Sequence, residues 1–81
     1  MFMNMDNIKA INIINEVFNV DLVEEDFNKK VTEVIKWDSF MITSLMASVL
    51  EQYGKMIDLD GIFKVVSIGD LISLINYCIE K

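Results

Sequence analysis

The stretch "WDSFMITSLMASVLEQYG", residues 37 to 54, decides how the chain folds. Asp38 is a good N-cap, because its carboxylate can accept a hydrogen bond from a free backbone N–H of the first turn. Behind it Ile42, Leu45, Met46, Val49 and Tyr53 recur at three- and four-residue spacing and form one apolar stripe. Gly54 follows where a left-handed C-terminal residue is wanted, so the helix stops there. The same stretch poses a chemical question. Ser39 stands at the first helical position, behind a Trp-Asp pair, in a chain with no histidine to take its proton.

Toward the N-terminus, Ile8, Ile11, Ile14, Val17 and Phe18 recur at helical spacing between Asp6 and Phe18, with Lys9, Asn12, Asn15 and Glu16 on the other face. Residues 19 to 37 mix acids, lysines and isolated apolar residues without a sustained period. They read as a long ordered loop tied down across the helix ends, with a helical turn near Val31 to Val34. Toward the C-terminus, Asp60 is positioned to cap a short turn over residues 61 to 65, held by Ile62 and Phe63 packing inward. Ser67, with Asp70 three residues on, resembles a capping box and opens a last helix whose core stripe is Ile68, Leu71, Ile72, Ile75, Cys78 and Ile79. The expectation is a single all-α domain over residues 1 to 81. It is an irregular four-helix bundle of three longer helices and one short one, with a long loop between the first and second.

Composition narrows the function. At 81 residues only about 60% of the unfolded chain's surface can be buried, which leaves little room for a deep catalytic cleft. A 53% hydrophobic content with no proline and three glycines argues against disorder and for regular helical structure. Thirteen acidic residues face seven lysines, there is no arginine, and the net charge is −6. That balance disfavours nucleic acid and anionic lipid and favours a protein partner with a basic patch. Cys78, the only cysteine, allows no internal disulfide and fits a reducing compartment. The opening "MFMNMDNIKA" lacks the basic-then-apolar pattern of a secretory signal, and the weakly polar run from Ser39 to Leu50 is too short to span a bilayer. A cytoplasmic protein without membrane insertion is expected. Met1, Met3 and Met5 read as part of a mobile tail.

Catalytic and metal motifs fail on their own terms. Ser39 lacks the flanking glycines of a nucleophile elbow, and a carboxylate such as the adjacent Asp38 is a poor base for an alcohol. "DLDGIFKVVSIGD" superficially resembles a calcium loop, but it carries Ile62 at the fifth position and Gly69 where a bidentate glutamate is required. Without histidine, and with one cysteine, zinc and haem sites are unsupported. Asp38-Ser39 can be simply a helix cap. Equally, a phosphate on the Ser39 hydroxyl would sit at the positive end of the helix, beside N–H groups that have no intrahelical partner. Phe40 and Met41 beside it offer a soft contact surface.

Over nearly its whole length the chain resembles the acyl carrier protein family, including peptidyl and D-alanyl carriers. The resemblance rests on "WDSF" at a helix start, on Tyr53-Gly54 closing that helix, on "DLDGIF" as the short third helix and on "SIGDLISLI" opening the last one. It implies that Ser39 is where a phosphopantetheinyl transferase attaches a 4′-phosphopantetheine arm from coenzyme A, the transferase bringing base and magnesium. The chain is then no enzyme but a monomeric carrier. It passes a thioester-bound acyl or aminoacyl group from a loading enzyme to a downstream transferase or synthase. By analogy, partners would read Asp38, Phe40, Met41, Ser44, Ala47, Ser48 and Glu51. This face departs from fatty-acid-synthesis carriers, whose corresponding face is rich in acids, and Trp37 replaces the usual small residue. Both departures suggest a dedicated pathway and recognition by shape and apolar contact. The space lined by Ile42, Met46, Ile62 and Ile72 reads either as plain core or as shelter for an acyl chain. A non-enzymatic helical adaptor, with Asp38-Ser39 only a cap, is the alternative from a different class.

Overall fold

The computed structural model describes residues 5 to 80. Met1 and Met3 lie outside them, whereas Met5, expected in a tail, opens the first helix, α1 (Met5–Phe18). Four more helices follow: α2 (Val31–Val34), α3 (Ser39–Tyr53), α4 (Leu59–Lys64) and α5 (Ile68–Glu80). A 3-10 turn, Glu24–Asp26, lies between α1 and α2. The all-α class holds for the described residues, which contain an isolated backbone bridge, Lys30 to Ser67, and no strand. No helix among them is long and apolar enough to cross a membrane.

α1 is the central wedge, packed against both α3 and α5. It therefore buries a wider face than one stripe: Ala10, Ile11, Ile13, Ile14 and Phe18 are buried, while Ile8 is exposed and Val17 only half-buried. Ala10 and Ile13 were not on the expected stripe. α1 ends through Asn15. Its carbonyl accepts the Val20 N–H at 3.2 Å, with Asn19 between them at φ 55°, and its side-chain oxygen accepts the Leu22 N–H at 2.9 Å. Asparagine tolerates the left-handed conformation that such a helix end requires. The sequence pattern had placed Asn15 on a plain polar face.

The long loop is ordered, as expected, and is strapped to the start of α5. The Val31 N–H donates to the Val66 carbonyl at 2.9 Å, the Ile68 N–H to Lys29 at 2.9 Å, and the Gly69 N–H to Phe27 at 2.8 Å. Its scattered apolar residues Leu22, Val31 and Ile35 enter the core. Asp26 stiffens the preceding turn by accepting the Val23 N–H and the Lys29 ammonium, each at 3.0 Å.

α3 contributes Leu45 and Val49 to the core, with Ile42, Met46 and Tyr53 partly buried against it. It ends at Gly54, φ 67°, whose N–H donates to Leu50. α4 begins two residues earlier than expected, at Leu59, because Asp58 rather than Asp60 is its cap: the Asp58 carboxylate accepts the Asp60 N–H at 3.3 Å. Ile62 anchors α4 inward, but Phe63, expected inside, is 75% exposed. α5 follows its predicted stripe, with Ile68, Leu71, Ile72, Ile75 and Cys78 buried and Ile79 partly so. Among the described residues no polar or charged residue is buried, so the core is lined by apolar side chains.

Candidate functional site

The start of α3 is built from the cap upward. The Asp38 side chain accepts the Met41 N–H at 2.8 Å, and its carbonyl accepts the Ile42 N–H at 2.9 Å. Trp37, just ahead, is half-buried and stacks on Phe18, with ring centroids 6.3 Å apart and planes at 28°. It thereby fixes the mouth of α3 against the end of α1. Its Phe18 partner lies nineteen positions back, beyond the reach of local patterning.

Ser39 is exposed at the first helical position. Its carbonyl accepts the Thr43 hydroxyl at 2.8 Å, while its own hydroxyl enters none of the hydrogen bonds found among the described residues. Asp38 alone does the capping, so Ser39 is dispensable for it. The N–H groups of Ser39 and Phe40, first and second in the helix, have no carbonyl one turn back to bond.

The start of α5 is the opposite case. There Lys29 and Phe27 carbonyls take the Ile68 and Gly69 N–H groups, and the Ser67 hydroxyl takes that of Asp70 at 3.0 Å. The Asp70 carboxylate in return accepts the Ser67 N–H at 3.0 Å and the Val66 N–H at 3.1 Å. These two N–H bonds, Ser67 first, hold the Asp70 carboxyl below the usual carboxylate range. α5 has its first turn sealed by protein groups; α3 has two donors open beside a free hydroxyl.

The remaining residues expected to face partners lie along α3. Phe40 (75% exposed), Ala47 and Glu51 are exposed; Met41, Ser44 and Ser48 are half-buried. Met41 packs against the core, so the expected exposed Phe-Met pair reduces to Phe40. The Ser48 hydroxyl accepts the Gln52 side-chain amide at 3.0 Å.

Of the four residues read as core or acyl shelter, Ile62 and Ile72 are buried, and Ile42 and Met46 pack on the core. An open surface groove and a smaller pocket of about 130 Å³ lie elsewhere, where α5 meets α4 and the segment before it. Both are lined by Leu74 and Tyr77, and none of the four lines either. Among the described residues no cluster of three or more His, Cys, Asp or Glu could hold a metal ion.

Set beside known proteins, the chain matches no family model, no curated protein and no solved structure.

Proposed function

We propose that this chain is a carrier protein, modified at Ser39 with 4′-phosphopantetheine from coenzyme A by a phosphopantetheinyl transferase. It shuttles an acyl or aminoacyl thioester between a loading enzyme and a downstream transferase or synthase, and performs no bond-making itself. The observation that carries the reading is the division of labour at residues 38 and 39. Asp38 satisfies the cap, and the neighbouring hydroxyl stands exposed with no structural task. The sequence resemblance over "WDSF", "YG", "DLDGIF" and "SIGDLISLI" supplies the chemistry.

The residues present fit such a group. Ser39 Oγ is the attachment point, and the open N–H groups of Ser39 and Phe40, at the positive end of a 15-residue helix, favour a phosphodiester anion there. When bound, the arm supplies a terminal thiol that holds cargo as an electrophilic thioester. The protein's part is placement: the Trp37–Phe18 stack fixes the helix start, and tethering raises the local concentration of cargo at a partner. In this reading α1, α3, α5 and the short α4 form the irregular four-helix bundle of a carrier, and α2 is one turn within its long loop. Phe40, with Asp38 and Glu51, is the part of α3 that partners meet first.

Intact mass after incubation with a broad-specificity phosphopantetheinyl transferase and coenzyme A tests this. The wild type should gain one phosphopantetheine. Ser39→Ala should gain none while keeping its stability within about 0.5 kcal/mol, since the hydroxyl holds nothing. Asp38→Ala should lose about 1 kcal/mol. No gain by the wild type with several such transferases would favour the adaptor reading, for which the exposure of Phe40 also speaks.

A further inference from the structure

We infer that α4 carries a docking surface of its own, the side-by-side pair Leu59 and Phe63, for a partner protein that offers an apolar socket edged by lysine or arginine side chains. The inference rests on α4 alone and holds whether or not Ser39 carries an arm.

α4 has six residues, too few to be stable in isolation, so its orientation is set by what it packs against. Ile62, 1% exposed, is its anchor. Gly61 brings the backbone so near α5 that a Cβ there would lie 2.6 Å from Leu74 Cδ1. With the inner face fixed in this way, Leu59 and Phe63 are left 51% and 75% exposed. They are four residues apart and therefore neighbours on the helix surface. Removing such side chains from water is favourable, and much of that gain is unrealised in the free protein. Two adjacent large apolar side chains on a helix anchored by Ile62 are the kind of contact that protein interfaces use, and aromatic residues are enriched there.

Charge selects the occupant. A second copy would bring the same net charge of −6 and be repelled. The rim of the pair is acidic. Asp60, three residues before Phe63, is exposed, as is Asp58 next to Leu59. The helix's one cation, Lys64, is exposed and lines the groove against α5 together with Asp70. A socket with a basic edge meets both features, and its grip should weaken with salt.

The test replaces Phe63 with the photo-crosslinker p-benzoylphenylalanine in the full chain, in its native cell, and purifies whatever protein is captured. Binding of that protein to the wild type, Phe63→Ser, Leu59→Ser and Ser39→Ala is then measured. Both serine variants alter exposed positions, and circular dichroism checks that they fold. The expected result is a partner that binds Phe63→Ser at least about tenfold more weakly than wild type. It should bind Ser39→Ala like wild type and lose affinity as salt rises from roughly 50 to 300 mM. The inference is overturned by no adduct at position 63, by an adduct that is a second copy of this chain, by equal affinity for Phe63→Ser, or by salt-independent binding. Failure of the carrier reading shows separately, as the absence of a mass gain at Ser39.

Discussion

Trp37 stacks on Phe18 across the junction of α1 and α3, with ring centroids 6.3 Å apart. The contact joins the last residue of one helix to the residue just before the cap of another, so the geometry around Ser39 depends on it. Trp37→Ala removes the ring and should cost about 2 kcal/mol, below the cost for a fully buried tryptophan because Trp37 is only half-buried. Urea unfolding followed by far-UV circular dichroism measures this, and Trp37→Phe should recover most of the loss. A Trp37→Ala variant as stable as wild type would mean that the stack holds nothing.

Gly54 sits at φ 67° with nothing within 4 Å of where a Cβ would be. Space is therefore not the constraint; backbone conformation is. Gly54→Ala should destabilise by about 1 kcal/mol and Gly54→Asn by less, since asparagine visits the left-handed region more readily. Thermal unfolding of the two variants ranks them, and the opposite order would contradict this account of how α3 ends.

Asp70 links stability to pH. Its folded-state pKa is depressed by the Ser67 and Val66 N–H groups, so its contribution is fully present above the ordinary aspartate value of about 3.9 and is lost as pH falls through the lower folded value. Asp26, depressed chiefly by the Val23 N–H and then by the Lys29 bond, acts in the same direction. Asp70→Ala should cost about 1 kcal/mol at pH 7, the worth of a cap, and the gap to wild type should narrow at acid pH, below the ordinary aspartate value. Urea midpoints at both pH values read it. An equal gap at both would show that the carboxylate's charge is irrelevant.

The features legible in the sequence were those whose partners are close along the chain. Asp38 and Gly54 frame α3 because a cap bonds within three residues and a left-handed stop needs only the right residue type. The Ser67–Asp70 pair is equally local. What escaped depended on distant partners. The buried face of α1 includes Ala10 and Ile13 because α1 meets α3 and α5 at once, and a single-stripe pattern cannot say that a helix has two neighbours. Phe63 was expected inside by its apolarity, yet Gly61 and Ile62 take the inward side of α4 and turn Phe63 out. Asp60 was expected to cap α4, and the start of the helix at Leu59 gives that role to Asp58. At the candidate site, the exposure of Ser39 followed from its position, while its freedom from hydrogen bonding needed the structure.

The strap between the long loop and α5 bears on how the chain is made. Phe27 and Lys29 find their acceptor roles only with Gly69 and Ile68, about forty residues downstream. On the ribosome, α1 and α3 can be complete while residues 27 to 31 still lack these bonds. The loop that leads into α3 therefore gains these bonds only once the start of α5 has emerged.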